Sequence, residues 1–282
     1  MKRKILELGG TTHVVSIPHE WIKRQNLKKG DQLEVRLDSD HITYSLVDRA
    51  TRGERLSTID CNGLPLGAMA RCAWAAYRAG ATQITLLASQ GKEWKTERSP
   101  LQVAEVFATR MPGFEIIRHD DKRIVIRELT QLKDDEFMTL FRRLFSSVIT
   151  ICESLTDGLA GEPGKIQASG TYLDQSINKL TDLCLRHLAT TPQPAHMIPY
   201  QIIISQLEEI GDLAVHVADH AKRATAPQNV VEMGRKTVDL LRFMMRSFDS
   251  VDKQVIAKLH EGRYAIKDME VEVKDNALME MQ

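Results

Sequence analysis

The stretch HVVSIPHEWIKRQNLKKGDQLEVRL, His13 to Leu37, changes character four times within a few turns of chain. Val14, Val15 and Ile17 are β-branched or apolar and read as a strand. Pro18 ends the ladder, because it has no N–H to donate. The residues from His19 to Leu27 then read as about two helical turns. Trp21, Ile22 and Leu27 are available for packing, and His19, Lys23 and Arg24 point elsewhere. Lys28-Lys29-Gly30-Asp31 makes a turn, and Leu33 starts a second strand. Met1 to Gly30 carries seven positive residues (Lys2, Arg3, Lys4, Lys23, Arg24, Lys28, Lys29) against Glu7 and Glu20, a local net of +5.

The whole chain has 282 residues and a formal net charge of +0, so bulk attraction to a polyanion or a lipid surface is not implied. A local patch still acts over about 8–10 Å, the screening length in physiological salt. A length of 282 residues fits two or three domains better than one. Cys61, Cys72, Cys152 and Cys184 are widely spaced, with no Cys-x-x-Cys. That argues against a disulfide framework or a zinc ribbon and fits a reducing cytoplasm. The N-terminus has a basic start without the apolar run of a secretion signal. No uninterrupted apolar window approaches the ~18 residues of a membrane span.

Three segments follow one another. Residues 1–50 are rich in short strands, with turns at Gly9-Gly10, Gly30-Asp31 and Asp38-Ser39-Asp40 and an alternating strand at Ile42–Val47. Such a unit buries little surface alone and gains from dimerising. Residues 51–130 read as a small α/β module. GLPLGAMARCAWAAYRAG is a helix closed by Gly80, and TQITLLAS is a strand. SPLQVAEVFATRM is a helix opened by Ser99 and Pro100, and FEIIRHDDKRIVIREL is a hairpin turning at Asp120-Asp121. Residues 131–282 read as helices. Phe137, Leu140, Phe141, Leu144, Phe145, Val148, Ile151 and Cys152 form one stripe. Further helices are expected over about 168–188, about 198–223 and from about 230 toward 260. Short breaks between long amphipathic helices mean an antiparallel bundle.

The order of the opening stretch resembles the swapped-hairpin DNA-binding family of AbrB-type regulators and MazE-type antitoxins. The matching residues are Ile17, Pro18, Glu20, Trp21, Leu27, Gly30, Asp31 and Leu33. Asn26 stands where that family commonly has glycine, and Asn tolerates the left-handed backbone. The resemblance covers about 45 residues and implies that two chains exchange hairpins and lay basic side chains on operator DNA. By that resemblance the DNA-binding candidates are Arg3, Lys4, His13, His19, Lys23 and Arg24. The other reading of the same charges is that they solubilise a dimerisation clasp.

The helical segment contains SQLEEIGDLAVHVADHAKR, Ser205 to Arg223. Glu208, Asp212 and His216 are spaced i, i+4, i+8 and stack on one face. Leu207, Ile210, Leu213 or Ala214, and Val217 form the packing stripe. One helix earlier, Asp174 and Asn178 stand at i, i+4, with Asp182 a turn on. Two facing acidic ladders suit a divalent or iron-type metal ion. An acidic ladder equally suits a solvated face paired with Lys or Arg.

LEEIGDLAVHVADH is similar to the LERIGDxAxNIA signature of PhoU-type phosphate-signalling proteins, and DQSINKL to their upstream DxxVDRL. The resemblance implies helical bundles whose carboxylate ladders bind metal. It assigns Asp174, Asn178, Glu208 and Asp212 as candidate ligands, with His216 added by the spacing above. Asn178 stands where Asp is usual, and Glu209 replaces an Arg. One DxxxN and ExxxD pair is visible where that family has two tandem bundles, so a dimer would restore the usual body.

The fold class expected is therefore α+β and multidomain. It comprises an N-terminal swapped-hairpin β domain (1–50), a small α/β module (51–130) and a C-terminal antiparallel PhoU-like helical bundle (131–282). A hairpin domain ahead of a PhoU-like bundle resembles the arrangement of archaeal phosphate-uptake regulators. No Gly-x-Ser-x-Gly, P-loop or Gly-x-Gly-x-x-Gly is present, so an enzyme is not expected. The resemblance implies a cytoplasmic, dimeric transcription regulator of phosphate uptake, its bundle sensing or relaying phosphate status. The alternative is a PhoU-like protein that regulates a phosphate transporter or sensor kinase through protein contacts, the hairpin serving only to dimerise.

Overall fold

The computed structural model describes residues 3–10, 12–37, 42–46, 54–87, 100–120, 122–130, 137–190, 194–221 and 226–280. Side chains at 34, 36, 43, 45, 46, 163–171, 194–197 and 277–280 lie outside that description. The turn expected at Asp38-Ser39-Asp40 falls outside it, as do Ser99 and Asp121. The chain divides into two compact units, Met1–Gly53 and Glu54–Gln282.

In the first unit, β1 (Ile5–Leu8) and β2 (Thr12–Val15) pair antiparallel, with Ile5 opposite Val15 and Glu7 opposite His13. Gly9 and Gly10 carry the turn at φ +67° and +83°. After Pro18 comes α1 (His19–Arg24), and then β3 (Leu33–Leu37) pairs antiparallel with β4 (Ile42–Leu46). The end of α1 is a full Schellman motif. The Leu27 N–H donates to the Ile22 carbonyl at 3.1 Å and the Asn26 N–H to the Lys23 carbonyl at 3.2 Å. That motif places Asn26 in the left-handed region, where it stands at φ +53°, and brings Leu27 over Ile22. The tight turn follows at once. Asp31 N–H donates to the Lys28 carbonyl, its carboxylate accepts the Lys28 N–H at 2.7 Å, and Gly30 takes φ +100°. None of the described residues of this unit is buried.

The second unit begins with a four-stranded sheet in the order β5-β6-β8-β7, built from β5 (Leu56–Asp60), β6 (Gln83–Leu87), β7 (Phe114–His119) and β8 (Arg123–Glu128). β5 and β6 run parallel, connected through α2 (Leu66–Arg78), and the other pairings are antiparallel. α3 (Pro100–Arg110) precedes β7. Period-two alternation puts Ile84, Leu86, Ile124 and Ile126 on one sheet face, all fully buried. α2 and α3 contribute Met69, Ala73, Tyr77, Val103, Ala104 and Phe107 to the same core. Tyr77, Phe107 and Phe114 meet edge to face, with centroids 5.2 to 5.8 Å apart. Gly113 permits the turn into β7: it stands at φ +80°, and an added Cβ would lie 2.3 Å from the Thr130 carbonyl oxygen.

Five helices follow: α4 (Phe137–Leu159), α5 (Pro163–Thr190), α6 (Pro194–His220), α7 (Gln228–Ser247) and α8 (Lys253–Glu280). α4 is central and packs on α5, α6 and α7, while α8 packs on α7. The stripe read from α4 is the one it buries, with Phe141, Leu144, Phe145 and Val148 at its centre. The architecture is α+β: short N-terminal strands, a small mixed sheet and a C-terminal helical region. No helix among the described residues is long and apolar enough to cross a membrane.

Three helix readings need correction. The helix expected from about 168 starts at Pro163, a residue suited to a first helical position. α6 starts at Pro194 and runs through Pro199; that proline falls within the first two turns, where it interrupts few backbone bonds. The last helix is two helices. The chain breaks after Ser247, and Asp252 caps α8 by accepting the Val255 N–H at 2.8 Å.

Candidate functional site

Two groups of residues were singled out by sequence, one in each unit. In the first unit Arg3 and Lys4 precede β1, His13 lies on β2 opposite Glu7, and His19, Lys23 and Arg24 lie on α1. All six are exposed. α1 is anchored by half-buried Trp21 and Ile22, which lie between its polar positions at helical spacing and leave Lys23 and Arg24 facing outward.

In the second unit the acidic ladders of α5 and α6 come together, but around arginine. Arg78, the last residue of α2, donates from Nε to buried Asp182 at 2.5 Å and places Nη2 3.8 Å from Glu208. Asn178 donates to Asp174 at 3.3 Å. Burial pushes the Asp182 carboxyl above the usual carboxylate range against the pull of Arg78. Burial also pushes up Glu208, with Asp212, Asp182 and Glu209 adding to the rise and Arg78 opposing it. Asp174 is raised by burial first and by Asp212 next, with Arg110 of α3 opposing. Asp174, Asn178, Glu208 and Asp212 therefore do share one neighbourhood. It is a seam between the helical region and the two module helices, crowded with carboxylates that arginines partly neutralise.

His216 does not join that seam. It is exposed and lies against His220, with ring centroids 4.5 Å apart. The packing stripe of α6 is Ile204, Leu207, Gly211 and Ala214, and Leu213 and Val217 face outward. Gly211 explains the rotation: an added Cβ would stand 3.0 Å from Ile177 Cδ1, so the bare backbone at 211 lets α5 approach. Among the described residues, no three or more His, Cys, Asp or Glu side chains are arranged to hold a metal ion. In this arrangement Arg78 supplies positive charge between Asp182 and Glu208, and Asn178 donates its amide N–H to Asp174.

Beside the seam lies Arg186 of α5, which sequence reading passed over. It is buried, donates from Nη1 to the carbonyls of Tyr77 (2.8 Å) and Ala81 (2.9 Å), and pairs through Nη2 with Glu128 at 2.9 Å. Its guanidinium lies 4.7 Å from the Tyr77 ring centroid and 5.0 Å from that of Phe114. The Tyr77 carbonyl, in the last turn of α2, also accepts the Gly80 N–H at 2.8 Å, and the guanidinium adds positive charge at the negative end of the helix dipole. One side chain thus ties α5 to the end of α2 and to β8. The available signal was an arginine set among apolar residues in LCLRHL, at a position the helical stripe assigns to the core. Burial pushes the thiols of Cys61 and Cys152 up to about 11 and that of Cys184 up to about 12, which keeps them protonated and unreactive near neutral pH.

Compared with known protein families, with characterised proteins and with solved structures, the chain finds no match. The two resemblances rest on their own motifs.

Proposed function

We propose that this chain is a dimeric DNA-binding regulator of phosphate uptake, with a PhoU-like helical region that senses or relays phosphate status. The observation that carries the reading is the apolar exposure of the first unit. Ile5 (69%), Leu8 (66%) and Leu37 (75%) stand in solvent, and Leu6, Val15, Val35, Ile42 and Tyr44 are exposed with them. Burying a side chain of this size contributes about 1.5–3 kcal/mol, so two hairpins bearing eight of them favour a covering partner. A second copy interlacing its hairpins supplies that cover. The cationic side chains at 3, 4, 23 and 24 then double on the dimer surface and present positive charge to the DNA backbone, with His13 and His19 beside them as hydrogen-bonding groups. Asn26 supports the motif match, because it adopts the left-handed conformation that the family's glycine would take.

In the second unit Arg78 and Arg186 couple α2 of the module to α5 and α6, so a change in the helical region would reach the module through them. Loading a divalent or iron-type ion on Asp174, Asn178, Glu208 and Asp212, as the PhoU resemblance implies, would require Arg78 to leave Glu208.

The test is the mass of the purified chain by sedimentation, followed by binding to a phosphate-transporter promoter over a salt series. A dimer is expected. Lys23→Ala and Arg24→Ala should each lower the slope of log affinity against log salt by about 0.9 for every phosphate left without its cation. A monomeric chain, or affinity indifferent to both substitutions, refutes the reading. A second reading, regulation through protein contacts with a transporter or sensor kinase, is favoured by the exposed side chains of Ile198, Ile202, Leu213 and Val217 on α6. In that case Leu213→Glu abolishes partner binding while Lys23→Ala changes nothing.

A further inference from the structure

At the end of α6, His216 and His220 sit one turn apart, both exposed, with ring centroids 4.5 Å apart and planes inclined by 57°. Nδ1 of His220 lies 2.8 Å from the His216 carbonyl oxygen. A carbonyl oxygen only accepts, so Nδ1 carries the hydrogen. In the neutral ring the lone pair is then on Nε2. A backbone hydrogen bond of this kind commonly fixes the tautomer of a metal-binding imidazole and raises its basicity. The ring spacing also fits. With metal–nitrogen bonds of about 2.0–2.1 Å and a ring radius of about 1.1 Å, two imidazoles on one ion at about 90–110° have centroids about 4.5–5.2 Å apart.

We propose that His216 and His220 form a two-imidazole chelating site for a borderline transition-metal ion of the Cu2+, Ni2+ or Zn2+ class, separate from the carboxylate seam. Imidazole nitrogen selects these ions over Mg2+ or Ca2+, which prefer oxygen. Both rings are exposed, so the remaining coordination positions stay open to water or to a second donor. Helical spacing alone places Asp212, His216 and His220 on one line, but Asp212 belongs electrostatically to Asp174 and Glu208. Oxygen and nitrogen donors are thereby divided between two places.

Copper is the most sensitive probe, because it binds such sites most tightly among the first-row divalent ions. Cu2+ is titrated into the full chain and followed by calorimetry and electron paramagnetic resonance. One ion should bind at this site with hyperfine structure from two nitrogens, undisturbed by excess Mg2+. His216→Ala and His220→Ala should each weaken it by about tenfold to a hundredfold, as expected when one of two tethered donors is removed. Far-UV circular dichroism reports that each variant is folded. Asp212→Asn should leave copper binding unchanged. Equal stoichiometry and affinity in the wild type and the His216→Ala/His220→Ala double variant overturn the proposal. So does a loss in Asp212→Asn as large as in the histidine variants, which would return the site to the seam.

Discussion

Arg186→Met removes a buried cation while keeping the length and apolar stem of the side chain. Three partners lose the guanidinium: the Tyr77 carbonyl, which keeps the Gly80 N–H, the Ala81 carbonyl and the Glu128 carboxylate. Only the carboxylate is charged, and it is nearly buried with a side-chain exposure of 10%. Removing one member of a buried ion pair costs about 3–5 kcal/mol, because the other is left unpaired in a poor solvent. The Ala81 carbonyl lies within that figure, since a neutral acceptor left unsatisfied costs about 1–3 kcal/mol. For a unit of this size each kcal/mol lowers Tm by about 2–4 °C, so the variant should melt some 6–20 °C below the wild type. Urea unfolding followed at 222 nm, with thermal scans alongside, measures both quantities. Arg186→Met combined with Glu128→Leu should recover much of the loss, because no charge is then stranded. A loss below about 1 kcal/mol for the single variant, with no recovery in the double, would refute the view that this arginine clamps the helical region to α2 and β8.

Other outcomes follow from particular residues. The folded Glu208 carboxyl is raised above its ordinary range, so its contribution is fully present below the unfolded value and is lost as pH rises through the folded one. Glu208→Gln does not titrate, and its stability relative to wild type should therefore improve from pH 4 to pH 7 in a series of urea midpoints. Gly113→Ala meets both a left-handed backbone and the Thr130 carbonyl oxygen at 2.3 Å. It should cost more than about 2 kcal/mol in the same assay, since the left-handed conformation alone costs about 1–2. Asn26→Val places a β-branched residue at φ +53° and should loosen the end of α1, seen as faster hydrogen exchange at Leu27.

Much of the chain could be read from local chemistry. Pro18 stands at the N-cap of α1, although β2 ends earlier, at Val15, where its pairing with β1 runs out at Ile5; Gly80 closed α2, Asn26 took the left-handed C-terminal position of α1, and the apolar stripe of α4 gave its buried face. Each is a short-range property, fixed by backbone sterics or by the 3.6-residue period. The division of the last helix was local as well, in the cap at Asp252, but an apolar period running through the break concealed it. The face of α6 was less legible. Leu213 and Ala214 fit the same stripe, and the choice fell to Gly211, whose value lies in the side chain it admits from α5.

The candidate site divides along the same line. The spacing of Asp174, Asn178, Glu208, Asp212 and His216 came from the sequence, because positions four apart on a helix must share a face. What occupies the space before that face did not. Arg78 and Arg110 are distant along the chain from the carboxylates they meet, and only the approach of α2 and α3 to α5 and α6 brought guanidinium to them. Periodicity determines which residues look in a common direction; the packing of separate elements decides what they find there, because a partner on a distant element leaves no trace in local spacing.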